Sequence, residues 1–182
     1  MLMSDSIKTR MSPLIARYAS GGAILGYAFS GLTPELERAA PGTGAGAWTF
    51  AELAAHLLDT ELVFAERMKR VIAEENPSLI SFEENAWAKR LSYADSPVDD
   101  AVSMIAMNRK WLTRILRTCS ETDFARSGIH SEKGKMTLAD LLAYVTNHLD
   151  HHLKFIYAKR ANLGVALPPR YGSEQIGTMV QG

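Results

Sequence analysis

Apolar side chains recur every three or four positions in four long stretches of the chain, which span residues 13–30, 49–75, 96–119 and 137–163. This spacing places them on one face of an α-helix and leaves polar side chains on the opposite face. We therefore expect four amphipathic helices that pack through their apolar faces. The first stretch contains three glycines, which weaken a helix but also allow a neighbouring helix to approach closely.

Local signals mark where several of these helices begin and end. Thr49 and Glu52 form a capping-box pattern at the start of the second helix. Asn76-Pro77 should end that helix, because the residue before a proline avoids the helical region of backbone angles. Thr137 is expected to cap the fourth helix with its side-chain oxygen.

The stretches between and beyond the four helices carry weaker patterns. Residues 41–46 are rich in glycine and predict a loop, and residues 81–93 predict a short helix and a loop that lays aromatic side chains across one end of the bundle. Residues 122–135 predict a polar connection, and no segment convincingly predicts a strand. Residues 1–10 are expected to form a loose N-terminus, and residues 165–182 a C-terminal tail.

The chain therefore predicts an all-α protein, a four-helix bundle formed by one domain of residues 1–182. A chain of 182 residues with 47% hydrophobic content is long enough to bury one core and a pocket. In such bundles, binding sites are built in the core by side chains from facing helices.

Charge and cysteine content exclude several classes of function. Twenty basic and twenty acidic residues cancel, and no run of Lys or Arg exceeds a pair, so we expect no nucleic-acid partner. No apolar run approaches the roughly 18 residues of a membrane-spanning helix, so we expect no membrane partner either. Cys119 is the only cysteine; it fits a reduced cytoplasmic protein and continues the apolar stripe of the third helix.

Three histidines on two of the predicted helices are candidate metal ligands. His148 and His152 lie four residues apart, so their rings project from the same face of the fourth helix, among core-facing apolar side chains. His56 lies beside the apolar stripe of the second helix. Spacing alone leaves two interpretations: a shared metal ion, or histidines that are packed and hydrogen-bonded in the core.

The order and spacing of many residues resemble those of the DinB/YfiT-like metalloenzyme family, over about residues 13–163. The resemblance rests on two groups of residues. The first contains Trp48-Thr49, Glu52, His56-Leu57-Leu58-Asp59, Glu61, Arg67, Pro77, Phe82-Glu83-Glu84 and Trp87-Ala88. The second contains Gly128-Ile129-His130-Ser131-Glu132, Gly134, Thr137-Leu138, Leu141-Leu142 and the His148-x-x-x-His152 pair.

The resemblance implies that His56, His148 and His152 bind a divalent metal ion inside the bundle. His130 and His151 do not fall on the ligand positions of the family pattern; His130 precedes the last helix and His151 is expected at the rim. The family often carries a glutamine or histidine three residues after the second histidine of the pair. Phe155 occupies that position here, so any polar role at that place is lost.

Three imidazole ligands leave coordination positions open, which is typical of a catalytic site. Zinc or nickel is the expected metal and iron(II) an alternative, because imidazole suits all three. Asp59 lies one helical turn beyond His56 and is the candidate for orienting a ligand or relaying a proton. Tyr144 lies one turn before His148 and is a second catalytic candidate. A solvated carboxylate and a packed core tyrosine are the alternatives for these two residues.

Three functions are consistent with such a site. The first is a metal-dependent hydrolase that activates water and acts on a small-molecule substrate. The second, implied by the resemblance, is a transferase or isomerase that uses a low-molecular-weight thiol, for which Arg67, Arg109 or Lys159 would have to lie near the rim. The third is a non-catalytic bundle whose metal or histidine cluster only stabilises a dimer or binds a ligand. Met104, Met107 and Trp111 form a second apolar stripe that could pair two subunits as a homodimer.

Overall fold

Four long helices form the body of the protein, as the sequence predicts. The computed structural model describes residues 5–172, with side chains from residue 11 onward. The helices are α1 (Asp5–Phe29), α3 (Phe50–Ala73), α5 (Val98–Leu116) and α7 (Leu138–Asn162). Helix α1 begins at Asp5, about two turns before the predicted start, and therefore includes part of the segment expected to be loose. The predictions for residues 1–4 and 173–182 lie outside the described residues.

Short elements occupy the connections between the long helices. They are α2 (Pro34–Glu37), α4 (Glu84–Arg90), a 3₁₀ turn (Tyr93–Asp95) and α6 (Glu121–Ala125). Residues 165–171 follow α7 without regular structure.

The expected caps hold two of the long helices in place. The hydroxyl of Thr49 accepts a hydrogen bond from the amide of Glu52, whose carboxylate accepts one from the amide of Thr49. Thr137 and Asp140 form the same reciprocal pair at the start of α7. These boxes satisfy backbone donors that a helix start leaves free, so they fix the first turns of the two helices that carry the candidate histidines.

A small three-stranded sheet corrects the expectation that the chain forms no strand. Strands β1 (Ser78–Leu79), β2 (Ser127–His130) and β3 (Gly134–Thr137) pair in the order β1-β2-β3, with β1 parallel and β3 antiparallel to β2. The segment interpreted as a polar connection is therefore partly a β-hairpin. Its strands are too short to show the alternation of polar and apolar residues that identifies longer strands.

The long helices pack in an order that differs from their order along the chain. Helix α1 contacts α5 and α7, and α3 contacts the same two helices, so α1 and α3 lie across the bundle from each other. Two buried clusters show the helix directions. Helices α1 and α7 run from the first cluster to the second, whereas α3 and α5 run from the second to the first. The bundle therefore contains two parallel pairs of neighbouring helices.

Glycines bring α1 and α5 into close contact between the two clusters. A Cβ atom at Gly22 would lie 2.8 Å from the backbone of Ala106, and one at Gly21 would lie 1.9 Å from the guanidinium of Arg109. The close approach suggested by the small residues of α1 is therefore present at these two positions, and it leaves room for a charged side chain within the bundle.

Three large apolar side chains remain exposed on α5. Met104, Met107 and Trp111 are 50, 66 and 57% exposed, so the stripe identified in the sequence faces away from the core. The guanidinium of Arg114 lies over the ring of Trp111, 4.4 Å from its centroid. None of the described helices combines the length and apolar character needed to cross a bilayer.

Candidate metal centre

The three histidines predicted as ligands meet inside the bundle, and we refer to His56, His148 and His152 as the histidine centre. His56 projects from α3, and the other two project from successive turns of α7. The Nε2 atom of His148 lies 3.2 Å from that of His56 and 3.1 Å from that of His152. One ring nitrogen from each residue therefore lies within 4.8 Å of the other two.

Aromatic rings form the walls of the histidine centre. The ring of Trp48 lies 4.6 Å from that of His56, measured between centroids, and Tyr144 stacks on His148 at 6.1 Å and 16°. His56 is 1% exposed, whereas the two histidines of α7 are half-buried. The centre is therefore enclosed on the α3 side and approachable along α7.

Burial keeps the three imidazoles neutral at physiological pH. Loss of hydration lowers the pKa of His56 to about 4, that of His148 to about 3 and that of His152 to about 2. Mutual repulsion among the positively charged forms lowers the last two further. A neutral imidazole keeps a lone pair available, which is the form that binds a metal ion.

The arrangement fits a divalent metal ion. Ligand nitrogens at 2.0–2.1 Å from a tetrahedral zinc would lie roughly 3.3 Å apart, close to the two Nε2 separations in the centre. Buried Nδ1 atoms of His56 and His152 have no hydrogen-bond partner among the described residues. In the part of the chain that the structure describes, the Nε2 atoms contact only one another, so hydrogen bonds leave lone pairs unused at the centre, whereas a shared cation would use all three convergent nitrogens.

The two catalytic candidates lie beside the histidine centre in different ways. Asp59 accepts a hydrogen bond from the hydroxyl of Tyr93 and lines a groove on the next turn of α3. Tyr144 is 37% exposed, and its ring is sandwiched between His148 and Phe64, which stacks on it at 4.8 Å. No described hydrogen bond joins either candidate to the centre, so their catalytic roles remain predictions.

The other two histidines lie outside the histidine centre. His130 lies in β2, where its Nδ1 accepts hydrogen bonds from the amides of Glu132 and Lys133. His151 is exposed, and its ring packs edge-on against Phe155, which also contacts the ring of His152. Phe155 therefore supplies an apolar wall at the position where a polar residue is common in the family.

The three cations considered for a substrate rim have different surroundings. Lys159 is buried and donates to the carbonyl of Ala45, and loss of hydration lowers its pKa to about 8. Arg109 is buried inside the bundle. Arg67 donates to the carbonyl of Ile80 and lines the same groove as Asp59. Arg67 therefore faces a cavity large enough for a ligand.

A second buried polar cluster, which the sequence did not predict, surrounds Glu61. Its carboxylate accepts hydrogen bonds from Tyr18, Asn108 and Arg109, with Arg109 Nε at 2.9 Å and Nη2 at 2.8 Å. We refer to Tyr18, Glu61 and Arg109 as the polar layer, since it lies between the two apolar clusters.

Comparison with known proteins identifies the family. The profile described as "DinB superfamily" matches residues 22–156. A protein of Oceanobacillus iheyensis named "Putative metal-dependent hydrolase" is 32% identical over 112 residues, which cover 61% of this chain and 64% of the relative. A protein of Geobacillus thermodenitrificans with the same name is 31% identical over 121 residues, which cover 65% of this chain and 67% of that protein. The matched region thus spans about two thirds or less of these relatives.

A solved structure has the same fold. YfiT from Bacillus subtilis, described as "a probable metal-dependent hydrolase with an unusual four-helix bundle topology", superposes with a TM-score of 0.77 at 23% identity, covering 84% of this chain and 87% of YfiT. In this protein the helices also pack in an order that differs from their order along the chain, which is consistent with that description. Because the family profile covers most of the chain, this chain belongs to the DinB superfamily.

Proposed function

We propose that this protein is a metal-dependent hydrolase of a small-molecule substrate and that its histidine centre holds a divalent ion. The observation that supports this proposal is the convergence of three neutral Nε2 atoms from two helices. A bound ion of this kind supplies a Lewis acid that activates water at neutral pH. Zinc or nickel is the expected ion, with iron(II) as the alternative.

The protein's own side chains would bind the ion and shape its surroundings. Helices α3 and α7 hold the Nε2 atoms of the centre at fixed separations, and burial keeps the three rings neutral. The rings of Trp48, Tyr144 and Phe155 exclude bulk water from the walls, which strengthens electrostatic interactions inside. We further propose that the hydroxyl of Tyr144 or the carboxylate of Asp59 transfers protons when substrate is bound.

Thiol transfer is the second candidate, and one observation favours it. Within the described part of the chain, no carboxylate makes a hydrogen bond to the histidine centre. Hydrolysis usually uses a positioned base to take a proton from water. A low-molecular-weight thiol that binds a metal is deprotonated by the ion itself and needs no such base. A non-catalytic bundle that binds metal or ligand is the third candidate.

One experiment separates these functions. The purified protein, reconstituted with zinc or nickel, is screened against ester and amide substrates and in a thiol-transfer assay, before and after treatment with a chelator. Turnover that stops with the chelator and returns with the ion supports an enzyme, and the active assay distinguishes hydrolysis from thiol transfer. A chelator that lowers the melting temperature without any measurable turnover contradicts catalysis and supports the third candidate.

We also propose that the exposed stripe of α5 pairs two subunits. In a single chain, at least half of the surface of each of Met104, Met107 and Trp111 is exposed, which is unusual for a group of apolar side chains of this size. Light scattering over a range of concentrations should give the mass of a dimer, and Met107→Glu should give that of a monomer. A monomer at every concentration would refute this arrangement.

A further inference from the structure

We propose that a groove beside α3 binds a small molecule that carries one carboxylate and an apolar body, with Arg67 as the anchor for the carboxylate. The groove has a volume of about 780 Å³ and lies between α3 and the chain from Ser78 to Trp87. Its size is in the range of small-molecule pockets, and apolar surface dominates its lining.

Arg67 is a buried cation without an anionic partner. The residue is 3% exposed, and its described hydrogen bond runs from Nη2 to the carbonyl of Ile80. Its Nε is buried without a partner. No described carboxylate lies within ion-pair distance. Arg160 is also buried without an ion pair, but its Nε and Nη1 donate to three backbone carbonyls. Arg67 is therefore left with unused donors at the edge of a cavity.

A buried charge without a partner is costly, so its presence requires a compensating group. The guanidinium of Arg67 is already fixed, with its Cζ 4.9 Å from the ring centroid of Phe64 and Nη2 bound to Ile80. A fixed guanidinium offers its remaining N–H donors and its charge to the oxygens of a carboxylate. Little side-chain entropy would be lost on binding, because the group is held before the ligand arrives.

The other charges of the groove favour a carboxylate over a phosphate. Arg70 also lines the groove, but its guanidinium pairs with Glu66 and Glu74. Asp59 and Glu66 are acidic lining residues. Glu66 is paired with Arg70, so Arg67 and Asp59 are the charges that remain in the groove. One unpaired cation suits a ligand with a single negative charge, since Asp59 would repel a dianion more strongly.

Apolar side chains define the rest of the ligand. The rings of Phe82 and Trp87 pack together at 4.7 Å, and Leu62, Val63 and Ile80 complete the apolar lining. Asp59 marks the end of the groove nearest to His56. Arg67 lies eleven residues beyond His56 in α3, which is roughly 16 Å along the helix axis. A ligand of that length would reach the histidine centre; this last step rests on the proposed function, whereas binding in the groove does not.

The three tryptophans of the chain allow a direct test, because each reports on a different place. Trp87 lines the groove, Trp48 packs on His56, and Trp111 lies on the exposed face of α5. Their indole N–H signals in a ¹⁵N spectrum of the full chain can be assigned with single Trp→Phe variants. The probes are 6-phenylhexanoate, its uncharged amide and inorganic phosphate.

We expect 6-phenylhexanoate to shift the Trp87 signal and to bind at least about tenfold more tightly than its amide, as a charge-assisted pair with arginine would produce. Arg67→Met should remove that difference between acid and amide, while the control Arg117→Met, at the exposed end of α5, should preserve it. Equal binding of acid and amide by the unaltered protein would overturn the proposal, and this comparison holds even if Arg67→Met folds poorly. Phosphate binding as tight as that of the acid would overturn the choice of a carboxylate.

The same spectra separate this proposal from the metal centre. Zinc added to the protein should shift the Trp48 signal and leave the Trp87 signal unchanged. If the acid shifts Trp87 but zinc does not shift Trp48, the groove proposal stands and the metal centre fails. If zinc shifts Trp48 but the acid leaves Trp87 unchanged, the metal centre stands and the groove proposal fails.

Discussion

The protein buries two polar clusters in its bundle, and they are built in opposite ways. In the polar layer, opposite charges and a hydroxyl satisfy one another: the carboxylate of Glu61 accepts from Arg109 at 2.8 and 2.9 Å and from the hydroxyl of Tyr18. In the histidine centre, three chemically identical neutral rings face one another, and two buried Nδ1 atoms have no partner. The first cluster is complete as it stands, whereas the second brings together nitrogen lone pairs that could hold a cation.

Location does not explain this difference, because the clusters are neighbours. Glu61, Arg109 and His148 line one small cavity of about 10 Å³, together with Thr60. The charge of Arg109 also contributes to the lowered pKa of His148, after burial and the other histidines. The two clusters share the same low-dielectric interior. We interpret the polar layer, whose charges are paired, as a group that stabilises the fold, and the histidine centre, two of whose buried ring nitrogens lack a described partner, as a binding site. This interpretation leads to the following predictions.

Removal of a partner from the polar layer should have the largest effect on stability. Arg109→Met leaves the carboxylate of Glu61 buried without its cation and should lower the free energy of unfolding by about 3–5 kcal/mol. Urea denaturation measures the loss. The double variant Glu61→Met, Arg109→Met should recover part of it, because no unpaired charge remains. A loss below about 1 kcal/mol in the single variant would show that the layer does not stabilise the fold.

A methyl group at Gly21 should disturb the same layer less severely. Its Cβ would lie 1.9 Å from Arg109 Nη1 and 2.8 Å from a methyl of Leu149, so Gly21→Ala should cost about 1–3 kcal/mol. Gly26→Ala is the matched control on the same helix, since no atom lies within 4 Å of its added Cβ. That control should be neutral or stabilising by up to about 1 kcal/mol through better helix propensity. Equal effects of the two changes would argue against the close approach.

Acid should destabilise the metal-free protein through the histidine centre. The folded pKa values, near 4 for His56 and lower for the other two, lie below the usual 6.5, so below pH 6.5 the unfolded chain binds more protons than the folded one. Stability should be complete above that pH and decline as pH falls toward 4. We expect a loss of roughly 2 kcal/mol between pH 7 and 5 from His56 alone, and a smaller further loss from each of the two half-buried rings.

The control for this pH effect replaces all three histidines of the centre with glutamine. Thermal melts of the metal-free triple variant should depend less on pH than those of the unaltered protein. His130 is present in both proteins, so its own lowered pKa cancels in the comparison. Parallel pH profiles would mean that the centre does not remain neutral in the folded state.

A single site histidine should contribute little to the stability of the metal-free protein. His152 makes no described hydrogen bond outside the centre, so His152→Ala should change the free energy of unfolding by less than about 1 kcal/mol. Arg109→Met, measured in the same urea series, should lower the free energy of unfolding far more. That difference would indicate that the polar layer stabilises the fold and that the histidine centre serves a function. A loss as large as that of Arg109→Met would place His152 among the structural residues.

The sequence predicted the helices and the histidine pair because both follow from helical periodicity. His148 and His152 share a face whatever the rest of the fold does, and the position of His56 beside an apolar stripe indicated the core. The strands were missed because β1 has two residues and β2 includes Gly128, where a Cβ would lie 2.7 Å from the carbonyl of Pro77. This close approach depends on how distant parts of the chain pack, and it leaves no pattern in the sequence around Gly128.

The polar layer was missed although a signal was present. Arg109 follows Ile105 by four residues and precedes Leu112 by three, so it occupies the buried face of α5 between two core positions. A charged residue in such a place requires a buried partner. The identity of that partner, Glu61, depends on how α3 and α5 are aligned along the bundle, which periodicity within one helix cannot show.

Metal content tests the central claim most directly. Untagged protein, its His148→Ala and His152→Ala variants, and the control His151→Ala are incubated with zinc or nickel, freed of excess ion and analysed for bound metal. We predict about one ion per chain in the unaltered protein and in His151→Ala, and a loss of most of it in the other two variants. The same stoichiometry in all four proteins would contradict the assignment of the histidine centre as a metal site.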